Sequence, residues 1–283
     1  MRTQEISTAL RKLIAFAAIL AAAQATTTNA ELVYGVSDQL GDLVSFDSAS
    51  PQTLISARGI TGLANGEELR GIDFIGGTLY GLGDGSHLYT INPATAVATQ
   101  VGSGTFSPSL NGIDFGLNAG TSQLYVSSDL GQNLTINPLT GAATAGPNYT
   151  SGASIDSMAY EYLNGNFYGI SSASHNMYSL NPATGVVTLI GATGQSFVDR
   201  IGFDVSPNTG AAYFSGTVSG QTEFFTANLT TGALTLVGTI GTPGELTSGL
   251  DSIAVVQVPE PGTLSLLVAG GSCMLFGLIR RKK

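Results

Sequence analysis

Asp73, Asp114 and Asp204 follow or interrupt apolar residues in separated copies of one short pattern, Ile72-Asp73-Phe74, Ile113-Asp114-Phe115 and Phe203-Asp204-Val205. Carboxylates repeated on one scaffold can do two kinds of chemistry. Gathered around a common axis, they would hold Ca²⁺, which takes oxygen ligands. As a pair about 5–9 Å apart in one concave pocket, they would work on a glycosidic bond as a hydrolase or lyase. Asp156, Asp199 and Asp251 stand two or three positions before the apolar anchors of other copies. A plainer role also fits: each carboxylate caps the start of a strand or bonds the backbone of its neighbour. Recurrence in every copy favours that plainer role, because a single site needs asymmetry.

Other chemistry is sparse. His87 and His175 are the only histidines, and neither sits in an H-x-x-H or H-E-x-x-H spacing. No G-x-S-x-G elbow is present. Asp38, Asp42 and Asp47 are spaced like loop carboxylates but lack the order of a calcium loop. Gly81-x-Gly83-x-Gly85 has no helix pattern after it, so it reads as a hairpin and not a phosphate cradle. We therefore assign no catalytic residue, no metal ligand and no cofactor, apart from the calcium that a carboxylate ring would take.

The elements that must position these residues repeat with a period near 43 residues. Anchors at Ile72, Ile113, Met158, Ile201 and Ile253 are spaced by 41, 45, 43 and 52. The first four are each followed by a second short strand carrying a tyrosine in register (Tyr80, Tyr125, Tyr168, Tyr213), with Tyr34 as the counterpart near the start. In-register tyrosines read as packing residues between sheets. A third strand then ends in Asn92-Pro93, Asn137-Pro138 or Asn181-Pro182, and Gly141, Gly185 and Gly232 close such turns. Asn opens the turn, Pro fixes φ near −65° and Gly accepts a left-handed exit.

Four short antiparallel strands per repeat predict an all-β fold, a β-propeller. The segment beginning at Leu32 lacks a first strand, and the copy at Leu250–Val258 supplies only a first strand. Joining them gives five blades, one closed across the two ends, over residues 32–258. Six blades, with a degenerate copy inside the 52-residue gap, is the alternative.

The ends of the chain look like addresses. Arg2, Arg11 and Lys12 precede a short apolar run, and Ala23-Gln24-Ala25 fits a signal-peptide cleavage site, giving a signal peptide of residues 1–25, with Ala30 as a later alternative. Residues 259–283 begin with Pro259-Glu260-Pro261. An uncharged apolar stretch, 262–279, follows, and Arg280, Arg281, Lys282 and Lys283 end the chain. Eighteen residues of helix span roughly 27 Å, enough for a hydrocarbon core with the cations on the cytoplasmic side. The only cysteine, Cys273, lies in that stretch, so the body has no disulfide. A mature span of 26–259 keeps only Arg58, Arg70 and Arg200 against seventeen acids, a net charge of −14 without a lysine. Nucleic acid and anionic lipid surfaces are excluded as partners of such a body.

Two resemblances follow from these residues. The order Pro-Glu-Pro, apolar stretch and basic tail resembles the PEP-CTERM sorting signal of Gram-negative bacteria. That resemblance implies export through the inner membrane and transient anchoring there. It also implies cutting by an exosortase, and a final place at the cell surface or outside it, in association with exopolysaccharide and biofilm. Gly71-Ile72-Asp73-Phe74, Leu79-Tyr80-Gly81-Leu82 and Leu88-Tyr89-Thr90-Ile91-Asn92-Pro93 are similar to the bacterial domain-of-unknown-function family 4394, as is Ser128–Gly141. Asp114-Phe115-Gly116-Leu117-Asn118 departs from the Asp-Phe-Asn-Pro stretch that its members often carry. That family implies no defined reaction. The expectation is an exported, non-enzymatic binding or matrix protein, and the competing one is a carbohydrate-active hydrolase or lyase.

Overall fold

Strand-forming residues are punctuated by Gly, Asn and Ser at short intervals, and the described residues fold as twenty short strands. The computed structural model describes residues 30–37, 41–120, 122–150, 154–242, 244–246 and 249–256. The proposed signal peptide and the segment from Gln257 to Lys283 lie outside these residues. No helix among the described residues is long and apolar enough to cross a membrane.

The strands form five four-stranded antiparallel sheets, a five-bladed β-propeller. Blade 1 is composite. It takes β1 (Leu32–Ser37), β2 (Asp42–Asp47) and β3 (Ser50–Gly59) from one end of the body and β20 (Ser252–Val255) from the other. Blade 2 holds β4 (Leu69–Ile75), β5 (Thr78–Gly83), β6 (His87–Ile91) and β7 (Ala98–Val101). Blade 3 holds β8 (Phe115–Ala119), β9 (Leu124–Ser128), β10 (Asn133–Ile136) and β11 (Ala143–Ala145). Blade 4 holds β12 (Ser157–Glu161), β13 (Asn166–Ser171), β14 (Asn176–Asn181) and β15 (Val186–Ala192). Blade 5 holds β16 (Val198–Val205), β17 (Ala212–Val218), β18 (Gln221–Ala227) and β19 (Leu234–Thr239).

The closure across the two ends is as the repeat predicted. Strand β20 pairs with β1 through Val33–Val255 and Gly35–Ile253, and Val256 N–H donates to Leu32 O at 3.0 Å. The repeated turn also behaves as its residues dictate. Asn92, Asn137, Asn181 and Asn228 each accept two backbone N–H groups through Oδ1, from the residues two and three positions on. Gly141, Gly185 and Gly232 take the left-handed exit at φ +71°, +71° and +82°.

The first strands β4, β8, β12, β16 and β20 pack side by side around the axis. Strand pairing aligns five equivalent positions on them: Asp73 opposite Tyr80, Asn118 opposite Tyr125, Ala159 opposite Tyr168, Asp204 opposite Tyr213 and Ala254 opposite Tyr34. Two residues earlier every strand carries a small residue: Gly71, Gly116, Ser157, Gly202 or Ser252. A Cβ at Gly71 would stand 2.5 Å from Leu117 Cβ, and one at Gly116 2.7 Å from Met158 N. One at Gly202 would stand 2.7 Å from Ile253 N. The ring is tight because these positions are small.

This register corrects two of the expected anchors. Ile113 is 74% exposed and precedes β8; the residue equivalent to Ile72 is Leu117. In β16 the equivalent is Phe203, two residues past Ile201, because an irregularity between Val198 and Gly202 inserts extra chain.

Candidate functional site

The central channel carries two rings of residues, one from each blade: five charged side chains in the first, and three polar side chains with two alanines in the second. At the beginning of the first strands stand Arg70, Asp114, Asp156, Arg200 and Asp251, around a cavity of about 10 Å³. Two of the body's three arginines are here, each in a bulge. Arg70 falls where the β4–β5 register shifts between Leu69 and Gly71. Arg200 falls in the β16 irregularity with φ +60°. A bulge re-aims a side chain out of the alternation of the strand. Both guanidinium groups reach buried Asp251, Arg200 Nη1 at 2.6 Å and Arg70 Nη1 at 3.5 Å. Arg70 Nη2 also meets Glu68 at 2.7 Å and Asp84 at 3.6 Å.

Asp156 sits in the same ring, accepts the Ser172 N–H at 3.0 Å and bonds the Ser172 hydroxyl. Burial raises its pKa to about 6, bonds from Ser172 oppose the rise, and the charge of Asp114 adds to it. A carboxyl that is harder to ionise folded than unfolded contributes stability below the ordinary value of 3.8, and that stability is lost as pH rises through about 6. Asp156→Asn keeps an acceptor for Ser172 without the charge. The variant should gain about 1.4 kcal/mol over wild type between pH 5 and pH 8. Urea unfolding at both pH values checks this, and an equal difference at the two would refute the raised pKa.

About 10 Å along the strands lies the second ring, Asp73, Asn118, Ala159, Asp204 and Ala254. Asp73, Asn118 and Asp204 are all buried. Each carboxylate ties its blade to the next. Asp73 Oδ2 accepts Ala119 N–H of blade 3 at 2.5 Å, and Asp204 Oδ2 accepts Val255 N–H of blade 1 at 2.7 Å. Asn118 instead spans the axis, donating from Nδ2 to Asp204 Oδ1 at 3.1 Å, although blades 3 and 5 are not neighbours. Burial, then the charge of Asp204, lifts the Asp73 carboxyl well above the usual carboxylate range. Tyr162 donates its hydroxyl to Ala119 O at 2.9 Å and feels both carboxylates; burial first and their charges next hold its phenol protonated.

Of the three expected channel carboxylates, Asp73 and Asp204 come together and Asp114 does not. It stands in the first ring, four residues before Asn118, which takes the position assigned to it. Asn118, Tyr162, Arg70 and Arg200 were not anticipated; the tyrosine opposite Asn118 was the signal that could have found that residue. The histidines are ordinary. His87 Nδ1 lies 3.0 Å from buried Glu67, which also takes the Tyr89 hydroxyl at 2.5 Å and Gly85 N–H at 2.9 Å. Burial and this carboxylate push Tyr89 up to about 12. His175 Nε2 lies 2.8 Å from Phe197 O, in blade 4 and away from His87. The Gly81–Gly85 run is the β5–β6 hairpin.

Between blades 3 and 4 the surface opens into a hollow of about 490 Å³, lined by Tyr125, Thr135, Asn166, Phe167 and Asn181 among others. A second, of about 420 Å³, adjoins it and shares Asn166, Phe167, Leu180 and Asn181. Phe167 packs between Tyr125 and Tyr160, with ring centres at 4.5 and 4.7 Å. Among the described residues neither lining contains a charged side chain.

Solved structures share the propeller shape at low identity. A protein of unknown function from Bacteroides thetaiotaomicron aligns with a TM-score of 0.51 at 16% identity, over 79% of this chain and 64% of its own. This chain thus spans less than two thirds of that protein. A chain of a nidogen/laminin complex aligns with a TM-score of 0.50 at 10% identity, over 81% of this chain and 99% of its own. Both likenesses concern the fold alone. No curated protein matches the sequence. The family described as Domain of unknown function (DUF4394) matches residues 42–250, from β2 to the residue before the last strand's lead-in, and the chain belongs to that family.

Proposed function

We propose that this protein is an exported, non-enzymatic propeller that binds a neutral polysaccharide at the cell surface or in the extracellular matrix. The groove between blades 3 and 4 carries the reading. A sugar chain offers C–H faces that stack on aromatic rings and hydroxyls that bond amides and alcohols. Tyr125 and Phe167 supply the rings, Asn166 and Asn181 the amides, and Thr135, Ser179 and Thr188 the hydroxyls. A hollow of about 490 Å³ is in the range that holds a small ligand. A lining without charge suits a neutral polymer, and a body without lysine has little to attract an anionic one.

The competing reading, a hydrolase or lyase using channel carboxylates, draws on the raised pKa of Asp73. Against it, Asp73 and Asp204 are bonded to backbone N–H groups, and the cavity of about 10 Å³ at the mouth has room for about one water and not a sugar ring. The address belongs to the same proposal: a signal peptide cut after Ala25, then sorting by Pro259, Glu260, Pro261 and the cations Arg280, Arg281, Lys282 and Lys283, read by an exosortase at the inner membrane.

Affinity electrophoresis through gels holding a neutral glucan or an anionic polysaccharide tests the binding. Neutral glucan should retard the protein and the anionic polymer should not, and Phe167→Ala should weaken the retardation at least fivefold. Equal mobility in all gels would end the reading. Mass spectrometry of the mature C-terminus, with and without the sorting peptidase, tests the address. An intact tail in both strains would defeat it.

A further inference from the structure

The two ends of the propeller differ in charge, and neither the groove nor the channel accounts for it. The first strands all start at the charged ring, so the turns that follow β4, β8, β12 and β16 (76–77, 120–123, 162–165 and 206–211) share the other end of the body. The start of β1 and the end of β20 lie there too. Leu32 O accepts the Val256 N–H, and Asn208, in the last of those turns, donates to Val256 O at 2.9 Å. None of the four turns contains Asp, Glu, Lys, Arg or His. Glu161, just before the third, is held by the Asn164 and Asn166 amides at 2.9 and 3.4 Å and by the Tyr168 hydroxyl at 3.2 Å. The opposite end carries Glu68, Asp84 and Asp129 besides the five charged side chains of the first ring. The uncharged end also presents leucine to solvent. Leu163, in the 162–165 turn, is 69% exposed, and Leu139, in the turn after β10, is 84% exposed. Ala119, Leu124 and Ile136 lie abreast across blade 3, which sets the end of β10 at this same end. The two leucines flank the groove between blades 3 and 4, whose lining includes Gly165, two residues past Leu163, and Thr135, near the end of β10.

We propose that this uncharged end is a docking face for the bilayer that carries the apolar stretch 262–279, and that docking closes the sugar groove until the tail is cut. The proposal rests on the address and glycan readings above and adds what the uncut chain does. Only Gln257, Val258, Pro259, Glu260 and Pro261 separate Val256 from Gly262. From Val256 to Gly262 the backbone reaches at most about 21 Å, and the two prolines stiffen it. Headgroups take about 5–8 Å of that reach. A body spanning residues 32–256 is about 45 Å across, so the tether keeps this end down and the charged end away from the membrane. Charge favours the same arrangement. The acid-rich end would be repelled by a negative membrane surface, and turns without charge are not. A tether also raises the effective concentration of Leu139 and Leu163 at the interface, so a contact too weak to hold a free protein suffices. The groove opens between those leucines, and headgroups cover it while they are engaged. Release of the tail opens it, so the protein meets its polymer only after leaving the membrane.

The chain has no tryptophan, so a single introduced one reports its own depth. Full-length Leu163→Trp and Ile113→Trp, the latter an exposed position at the charged end, are each placed in phosphatidylcholine vesicles with brominated acyl chains. The tryptophan at position 163 should be quenched at least threefold more than the one at 113. Should Leu163→Trp fail to fold, Leu139→Trp takes its place. In parallel, the uncut chain on vesicles should hold at least fivefold less neutral glucan than the mature chain released by the sorting peptidase. Flotation of the vesicles separates the readings. A full-length chain that does not float ends the address reading and this proposal together. A chain that floats with both tryptophans quenched alike, or neither quenched, ends the docking face and leaves the address standing. Glucan held equally by the uncut and mature chains ends the closing of the groove. Glucan held by neither ends the glycan reading and the closing with it, while the quenching result still decides the docking face.

Discussion

Gly202→Ala should destabilise the propeller by about 3 kcal/mol or more, at the upper end of what overpacking does. The new methyl would stand 2.7 Å from Ile253 N and 2.9 Å from Ser252 C, both backbone atoms that cannot swing aside. Gly202 does not have a positive φ, so the effect is steric and not conformational. The obstructed strand is β20, which closes blade 1. Pushing it outward also strains the Asp204–Val255 bond and the contacts of Ser252 Oγ with Ile72 N (3.1 Å) and O (3.3 Å). Gly238→Ala is the matched control, since nothing lies nearer than 3.5 Å to its Cβ; it should change stability by less than about 0.5 kcal/mol. Urea midpoints and the rate of proteolysis near residue 250 measure both. A Gly202→Ala protein that unfolds like wild type would mean the first strands are not packed this tightly.

Asp204→Ala should be comparably severe, a loss of about 3–5 kcal/mol. One carboxylate accepts Val205 N–H at 2.7 Å, Val255 N–H at 2.7 Å and the Asn118 amide at 3.1 Å, so the truncation strands three buried donors together. Asp204→Asn should be milder, a loss of about 1–3 kcal/mol at pH 7, because its single oxygen keeps one acceptor while its NH2 would face a backbone N–H that the other carboxylate oxygen accepts. It also removes the charge that opposes ionisation of Asp73. Chemical denaturation of the two variants separates geometry from charge. Equal losses would show that the charge of Asp204, and not its role as an acceptor, holds blades 5 and 1 together.

The architecture was legible because its signals are local and repeated. Asn137-Pro138-Leu139-Thr140-Gly141 encodes its turn through side-chain bonds to the next residues, and nothing distant is needed to see it. Counting strands then forced the joining of Leu32 to the last copy, and β20 pairs there. The channel was less legible, for a definite reason. The first strands carry bulges at Arg70 and Arg200, and an inserted residue shifts everything after it relative to the apolar pattern. Ile113-Asp114-Phe115 imitates Ile72-Asp73-Phe74 in sequence, yet the strand begins only at Phe115 and Asn118 faces Tyr125. Aligning on the tyrosines would have recovered Asn118, because the second strand is regular in every blade. Tyr162 had no signal: it follows β12 in the turn, where only the three-dimensional ring brings it over the carboxylates.

The pairing of Val33 with Val255 also has a kinetic side. The partners of that strand pair are separated by nearly the whole body, so the last contact to form is also the longest-range one. The entropy of bringing distant segments together grows only as the logarithm of the intervening length, and the other four blades, once stacked, have already brought these ends near each other. Synthesis runs in the same order: blades 2 to 5 are complete before Ser252 is made, while β1 waits with one edge bare. A chain stopped before Ser252 would keep that edge open to other copies of itself. The final strand acts as a latch, and the time before it shuts is when the molecule is most exposed to aggregation.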